Sequence, residues 1–532
     1  MTTAADAMAP AGKLPRQIPY IIGNEGCERF SFYGMRNILV PFLVSSVLLA
    51  YLPEEMRAGA AKDVFHIFVI GVYFFPLLGG WISDRFFGKY NTVFWLSLVY
   101  CAGHACLALF EESRSGFYTG LFLIALGSGG IKPLVSAFVG DQFDRSNKHL
   151  AKVVYDAFYW IINFGSFFAS LLMPIFLREL GPSIAFGIPG ALMFVATVIF
   201  WSGRNKYVHV PPSPPNPDSF LRVLRTALFA RAPGQGRPGL VVAGIGAVLA
   251  AMALLSLFWV IGSAESASAA AANGVIAVLV ALGFLITGVG VGASLQLDRA
   301  RSVHADEAVN GARAVLRILI VFALVTPFWS LFDQKASTWV LQGQEMAKPE
   351  WFSAAQMQAL NPMLVMLLIP FNNLVLYPTL RRMGVEVTTL RRMGAGIAFS
   401  ALAWVAAGML QLWMDGGDVV SITWQVLPYA LLTMGEVLVS ATGLEFAYSQ
   451  APPSMKGTIM SFWLLSVSYG NLWVLLTNAA VRNDAVTGQI AATGLTENAF
   501  LMFFFAGFAF LAALAFAAYA RHYPMQDHYR TA

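Results

Sequence analysis

Four ionisable side chains lie within one apolar segment near the amino terminus. The stretch NEGCERFSFYGMRN (24–37) leads directly into ILVPFLVSSVLLAY, and it contains Glu25, Glu28, Arg29 and Arg36. Each such charge costs roughly 2.5 to 3.5 kcal/mol at the centre of a membrane-spanning helix. At about 100° per residue, the four side chains share one helical face. That face must look into a helix bundle or a wet cavity, where these groups can bind a proton or a charged solute.

The ionisable groups within apolar segments differ in sign between the two halves of the chain. They are Glu25, Glu28, Arg29, Arg36 and Lys132 in the first half, and Asp333, Lys335, Glu436 and Glu445 in the second. The first set is mainly cationic and the second mainly anionic. A cavity between two such walls fits a small zwitterion, with a carboxylate at one end and an ammonium group at the other. For any single pair, a structural ion-pair cluster is the alternative explanation.

The composition places these charges in a polytopic membrane protein. Of the 532 residues, 57% are hydrophobic and 12% are charged, so the chain has too little polar surface to enclose itself in water. Apolar windows of about 20 residues predict fourteen spans, arranged as six, two and six. The predicted spans are 18–48, 64–83, 91–110, 116–138, 153–177, 184–203, 239–262, 274–294, 314–342, 357–379, 394–413, 424–448, 457–480 and 498–519.

The basic residues orient the spans and define the segments between them. Most of the 34 Lys and Arg residues fall on one side of the membrane if both termini are cytoplasmic, as the positive-inside rule requires. The predicted organisation is a cytoplasmic amino terminus (1–17), a six-helix bundle (18–203), a linker (204–237), two extra helices (238–296), a second linker (297–313), a second six-helix bundle (314–519) and a cytoplasmic tail (520–532).

Sequence features that could indicate other functions lack the required spacing or partners. The pI near 9.0 comes from basic residues dispersed over short loops, so no nucleic-acid site is predicted. GSGGIKP (127–133) lacks phosphate-loop spacing, and the glycines of TGVGVGAS (287–294) are better explained by close helix packing. Cys101, His104 and Cys106 lie on one apolar helix without further metal ligands. Only His66 and His104 lie at or in predicted spans, and neither has a catalytic partner at motif spacing. We expect neither an enzyme nor a cofactor, and an ion gradient must drive any transport.

Helical geometry limits which charges can share a cavity. Glu436 and Glu445 are nine residues apart, about 180° on a regular helix, so they face opposite ways unless Gly443 kinks the helix. We choose Glu436, because Ser440 lies one turn further on the same face. Glu445 is left for a gate or a structural pair. For Lys335, snorkelling or local pairing is favoured over a role in the cavity.

Several blocks of the sequence resemble one family. NEGCERFSFYG resembles the ExxERFxYYG motif of the proton-coupled oligopeptide transporters, the peptide branch of the major facilitator superfamily. Blocks from about residue 24 to residue 475 agree in order, and the two extra helices resemble those of the bacterial members. These blocks include VYFFPLLGGWISDRFFGKY, GSGGIKPLVSAFVGDQF, FYWIINFG, FWSLFDQKASTW, QALNPMLVMLLIP, GEVLVSATGLEFAYSQAP and MKGTIMSFWLLSVSYGN. The resemblance implies an all-α fold of two six-helix bundles, with the two interpolated helices bringing the total to fourteen.

The resemblance also implies roles for individual residues. Arg36 and Lys132 would hold the carboxylate of the peptide, and Glu436 would hold its amino terminus. Asn163 and Asn361 match amides that contact the peptide backbone. The residues implied to line the pocket are Tyr33, Tyr73, Tyr159, Trp329, Ser440 and Trp463. The sequence departs from the family at Phe32, where many members have tyrosine, and at Lys335, where a small or uncharged residue is expected.

Protons are the expected coupling ion. When the carboxylate of a substrate takes over a basic partner, the stranded acidic side chain becomes costly and binds a proton. On this hypothesis Asp333 faces Arg36, and Glu25, Glu28 and Arg29 form a second protonation site. Loading then lets the two halves rock between states. We expect an importer of di- and tripeptides, because the end charges of such peptides lie about 6 to 10 Å apart and fit one cavity. We also expect it to be monomeric and to lie in the lipid bilayer of a bacterial cytoplasmic (inner) membrane.

Overall fold

The computed structural model describes residues 13–143, 147, 150–212, 216–231, 236–264, 266–450 and 455–524. Their regular structure is helical. The first helices are α1 (Ile18–Ser45), α2 (Glu54–Phe74), α3 (Pro76–Ile82), α4 (Gly88–Leu109), α5 (Arg114–Asp141), α6 (Ala151–Leu180), α7 (Pro182–Ser202), α8 (Phe220–Phe229), α9 (Pro238–Gly262) and α10 (Ala267–Leu295). They are followed by α11 (Asp306–Asp333), α12 (Thr338–Glu345), α13 (Leu360–Phe371), α14 (Tyr377–Arg382), α15 (Thr389–Asp415), α16 (Val426–Glu436), α17 (Thr442–Gln450), α18 (Lys456–Ala480), α19 (Asp484–Ala492) and α20 (Glu497–Arg521).

The chain is an integral membrane protein. Within the described ranges, twelve helical segments are long and apolar enough to cross a membrane. One of them, Glu54–Leu109, has 56 residues. It contains α2 and α4, with 21 and 22 residues, and about 20 residues suffice to cross a core of about 30 Å, so the segment can cross it twice. The charged helix α1 is not among the twelve, although its 28 residues are also long enough to span. The helix lengths therefore allow the fourteen predicted spans, which stay a prediction.

The chain divides into two compact units. Unit 1 consists of Met1–Arg57, Gly71–Pro214 and Ala336–Pro370, and unit 2 of Ala58–Ile70, Pro215–Lys335 and Phe371–Ala532. These units differ from the predicted bundles, because part of α2 joins unit 2 and the segment around α12 joins unit 1. Hydrogen bonds explain the second assignment: Gln356 donates to the carbonyl of Leu171 on α6, and Gln358 donates to that of Asn37 on α1. The predicted bundle boundaries stay a prediction.

In unit 1, glycines allow α5 to approach its neighbours closely. A Cβ atom on Gly127 would lie 2.8 Å from the carbonyl oxygen of Leu96 on α4, and one on Gly129 would lie 2.6 Å from that of Val72 on α2. A Cβ atom on Gly79 of α3 would lie 2.4 Å from the carbonyl oxygen of Gly130. The GSGG sequence is therefore a helix-packing surface, since any side chain at these positions would separate the helices.

In unit 2, α9 and α10 form a hairpin with glycines at their contact. A Cβ atom on Gly239 would come within 2.1 Å of the carbonyl oxygen of Gly292, and one on Gly246 would come within 2.7 Å of the Cα atom of Gly288. The close packing expected for TGVGVGAS is confirmed. The hydroxyl group of Tyr469 donates a hydrogen bond of 3.0 Å to the carbonyl oxygen of Leu279, which joins α18 to α10.

Helix α2 begins ten residues before the predicted start of the second span. The difference matters because Lys62 and Asp63 then lie within a helix, and both side chains are buried. Asp63 accepts hydrogen bonds from Asn478 of α18 at 3.0 Å and from Arg482 at 2.5 Å. The span prediction left out this first part of α2 because its charged residues lower the mean hydropathy of the window. In the folded protein, tertiary partners compensate such charges.

Candidate functional site

The charged face of α1 contains one guanidinium group between two carboxylates. Arg29 Nε lies 2.6 Å from Glu25 Oε1 and 3.0 Å from Glu28 Oε2, and all three side chains are buried. Neither carboxylate oxygen of Glu28 accepts a hydrogen bond from another described residue. With both acids ionised the group carries a net negative charge in a poorly solvated place, and one proton would neutralise it. The arrangement suits a proton-binding site.

The two cations predicted to bind the peptide carboxylate, Arg36 and Lys132, differ in burial. Arg36 is buried on α1. Lys132 is half-buried, and its Nζ atom lies 3.3 Å from the ring centre of Phe32 and 5.2 Å from that of Tyr73. Among the described residues no carboxylate lies within ion-pair distance of Lys132 Nζ, so aromatic faces provide its nearest attractive contacts. An ammonium group held in this way can bind an incoming carboxylate.

The other predicted site residues of unit 1 lie on α1, α6 and α13. The Tyr159 side chain is 43% exposed, whereas that of Asn163 is buried and donates a hydrogen bond of 3.0 Å to the carbonyl of Tyr159. One amide proton of Asn163 is thus used within α6, which leaves its carbonyl oxygen and its other proton for a ligand. Tyr33 and Asn361 are half-buried.

In unit 2, two predicted pocket residues contact each other. The rings of Trp329 and Trp463 lie 5.8 Å apart at an angle of 77°. Gly470 and Gly443 make room for them, since an added Cβ atom would lie 2.4 Å from Trp329 Cβ and 2.2 Å from the Trp463 ring. Trp329 Nε1 is buried and has no acceptor within the described part of the chain, so it retains a hydrogen-bond donor.

Asp333 belongs to a buried chain of hydrogen bonds that sequence reasoning missed. Asn471 Nδ2 donates to Asp333 Oδ2 at 2.8 Å, and His66 Nδ1 lies 2.6 Å from Asn471 Oδ1. Because that amide oxygen accepts, His66 carries its proton on Nδ1. Asn471 lies far outside any motif spacing, so the prediction that His66 has no partner at such spacing is unaffected. The only local signal was a histidine in an apolar segment, since 405 residues separate it from Asn471.

A change of helix type separates Glu436 from Glu445. Helix α16 ends at Glu436, a π-helical turn covers Val437–Ala441, and α17 follows. A π-helical turn contains more residues than an α-helical one, so the 180° separation expected for a regular helix does not apply. Glu436 and Ser440 are both half-buried. Glu445 is exposed and pairs with Arg392 Nη2 at 3.3 Å, which is the structural pair left open above. Gly443 accommodates Trp463 instead of marking a kink by itself.

Lys335 is buried, and its Nζ atom lies 3.1 Å from the ring centre of Phe332. Of the two expected alternatives, snorkelling and local pairing, the burial and this cation–π contact fit local pairing.

The structure thus distributes the predicted site residues over the two units. Unit 1 holds Glu25, Glu28, Arg29, Tyr33, Arg36, Tyr73, Lys132, Tyr159, Asn163 and Asn361, and unit 2 holds Trp329, Asp333, Glu436, Ser440 and Trp463. Within unit 1 the Glu25–Arg29–Glu28 cluster and the Lys132–Tyr73 contact are formed. Within unit 2 the two tryptophans meet. The individual roles of these residues stay predictions.

Comparisons with known proteins agree on one family. The family model described as PTR2, POT family, matches residues 90–493. Peptide transporter 3 of Caenorhabditis elegans is 31% identical over 416 residues, which cover 75% of this chain and 51% of that protein. Solute carrier family 15 member 2 of Danio rerio is 31% identical over 423 residues, which cover 75% of this chain and 50% of that protein. The chain therefore spans about half the length of these two relatives.

A crystal structure described as an auto-inhibited POT family peptide transporter is similar along nearly the whole chain. It is 66% identical in sequence, with a TM-score of 0.93, and the match covers 97% of this chain and 99% of that one. Members of the POT family are transporters and not enzymes. The extent of the family match and this structural similarity show that the chain belongs to the POT family.

Proposed function

We propose that this protein is a proton-driven symporter that imports di- and tripeptides by alternating access. The observation that carries the proposal is the buried Glu25–Arg29–Glu28 cluster, in which one cation lies between two acids. A helix that must cross lipid would not keep two buried carboxylates without a use for their charge. Membership of a transporter family supplies the context.

The peptide is proposed to bind through its two end charges. Arg36 and Lys132 bind the carboxylate, and Glu436 binds the amino terminus. The position of Lys132 supports its part, because its ammonium group rests on aromatic rings and forms no ion pair within 4 Å among the described residues. Asn163 and Asn361 contact the peptide backbone. The proposed lining consists of Tyr33, Tyr73, Tyr159, Trp329, Ser440 and Trp463.

Proton coupling is assigned to the acidic groups of both units. Glu28 and Glu25 share Arg29, so protonation of one acid relieves the excess negative charge of the cluster. Asp333 is the proposed carrier in unit 2. The His66–Asn471–Asp333 hydrogen bonds support that assignment, since they connect the Asp333 carboxylate to a histidine side chain. No bound cofactor takes part in this scheme.

The proposal also includes the location of the protein and its orientation in the membrane. We place the chain in a bacterial cytoplasmic membrane with both termini inside, and we expect it to function as a monomer. The distribution of Lys and Arg over the short loops supports this orientation. Substrates longer than three residues are excluded on this scheme, because their end charges lie further apart than about 10 Å when extended.

The proposal is tested with purified protein in liposomes and radiolabelled dialanine, with and without an inward proton gradient. Wild-type protein should accumulate dialanine against its gradient only when protons flow inward. Glu28→Gln should lose uphill accumulation but retain exchange of internal for external dialanine, because the peptide site remains while one proton site is removed. Glu445→Gln is the matched control, since that acid is exposed and forms a surface pair. Intact proton-driven accumulation by Glu28→Gln would refute the assigned role.

A further inference from the structure

Helix α8, in the linker before the extra helices, presents an outer face with both apolar and cationic side chains. Its inner face is buried, with Val223 and Ala227 among the buried residues. On the opposite face the side chains of Leu221 and Phe229 are 71% and 58% exposed. At about 100° per residue, Arg222 and Arg225 fall on the same side of the helix as these two apolar groups, and both are exposed.

Hydrogen bonds hold α8 at the level where three spanning helices end. Gln296, directly after α10, donates to the carbonyl oxygens of Ala227 and Leu228 at 2.9 and 3.0 Å, and its own side-chain oxygen accepts from the amide of Gly239 at the start of α9. His304, just before α11, lies 2.9 Å from Thr226 Oγ1. These bonds fix α8 beside the ends of α9, α10 and α11, which is where the membrane surface must lie.

The arginines of α8 differ from two arginines near the start of α11. Arg301 and Arg313 both donate hydrogen bonds to Asp298, and these bonds lower the pKa of that carboxyl group. Their charges are thus compensated within the protein. In contrast, neither Arg222 nor Arg225 forms an ion pair with any residue that the structure describes.

We propose that the outer face of α8 binds anionic phospholipid headgroups at the cytoplasmic surface of the membrane, with Arg222 and Arg225 contacting phosphates and Leu221 and Phe229 entering the acyl boundary. Uncompensated arginines attract a negatively charged membrane surface. Large apolar side chains that alternate with them suit the boundary between headgroups and acyl chains. A face turned to the cytosol would gain nothing from exposing a leucine and a phenylalanine beside these arginines.

Native mass spectrometry of the full-length protein tests the electrostatic part. The protein is released from membranes that contain phosphatidylglycerol and phosphatidylcholine with identical acyl chains. Arg222→Gln/Arg225→Gln should lower the retained ratio of phosphatidylglycerol to phosphatidylcholine by about 30-fold, which corresponds to about 1 kcal/mol per arginine. Arg381→Gln/Arg382→Gln removes the same charge from another exposed helix end and should retain most of the ratio. Equal losses in the two variants would overturn the proposal.

A depth measurement tests the apolar part independently of charge. Cys27, Cys101 and Cys106 are replaced by alanine, and a spin label is attached through Phe229→Cys or, as a control, through Asp306→Cys at the exposed start of α11. In liposomes, dissolved oxygen should relax the label at position 229 and a water-soluble nickel complex should not, whereas the label at position 306 should show the reverse. A label at position 229 that is as accessible to nickel as the label at position 306 would show that α8 faces the cytosol and overturn the proposal.

Discussion

Gly443 shows how the absence of one side-chain atom admits the ring of a neighbouring helix. Gly443 lies at the start of α17, directly after the π-helical turn, and the Trp463 ring occupies the space where a side chain would be. Trp463 in turn contacts Trp329. The glycine is therefore required by the close approach of an indole ring, and a helix-propensity argument alone would have treated it as a weak point.

Gly443→Ala should destabilise unit 2 and displace Trp463. The new Cβ atom would lie 2.2 Å from the ring, and overpacking of this kind costs about 1 to 3 kcal/mol. Gly507→Ala is the matched control, since nothing lies within 4 Å of its added Cβ atom and alanine favours the helix by up to about 1 kcal/mol. Thermal unfolding in detergent should show a lower midpoint for the first variant and an equal or higher one for the second. Equal midpoints for Gly443→Ala and wild type would contradict this packing argument.

At the scale of elements, α2, α10 and α18 meet around Arg482. Its guanidinium group pairs with buried Asp63 of α2 at 2.5 Å and donates to Asn273 of α10 at 3.4 Å. Asn478 of α18 also donates to Asp63. The extra hairpin thus shares a polar contact with α2 and α18, in addition to the hydrogen bond from Tyr469.

Arg482→Gln should be strongly destabilising, because it leaves the Asp63 carboxylate buried without its cation. The expected loss in the free energy of unfolding is about 3 kcal/mol. The double variant Asp63→Asn/Arg482→Gln should recover most of this loss, since no buried charge is then stranded. Arg391→Gln removes an exposed arginine that pairs with Glu386, and it should cost less than about 1 kcal/mol. Denaturant unfolding of the four proteins provides the comparison, and a double variant no more stable than Arg482→Gln would disprove the explanation.

At the scale of the whole molecule, the proposed symport moves net charge across the membrane. Dialanine is a zwitterion at neutral pH, so each accompanying proton carries one positive charge inward. One charge moved through 100 mV gains about 2.3 kcal/mol, which raises the limiting accumulation about fiftyfold.

An inside-negative potassium diffusion potential should therefore drive dialanine accumulation even when the pH is equal on both sides. Valinomycin-treated liposomes with an outward potassium gradient provide the potential, and liposomes with equal potassium provide the control. Glu28→Gln should show no accumulation under either condition, because its proton site is removed. Uptake by wild-type protein that responds to pH but not to potential would exclude electrogenic symport of this substrate.

Local patterns in the sequence determined the class of the protein and its charged helix face. Apolar runs of about 20 residues and charges within them are visible without a partner, because the lipid bilayer acts on each span separately. The ordered motifs from residue 24 to residue 475 likewise indicated the family that the comparisons confirm. The pair of Glu25 and Arg29 could be predicted because it lies within one helical turn.

Only the tertiary structure decided which distant polar groups compensate each other. His66, Asn471 and Asp333 come together across hundreds of residues, as do Asp63 and Arg482, and no helical period relates such positions. The π-helical turn after Glu436 and the space that Gly443 leaves for Trp463 also depend on neighbouring helices. A buried polar group needs a hydrogen-bond partner, and that partner can come from any element that packs against it. The identity of the partner therefore follows from packing and not from spacing along the chain.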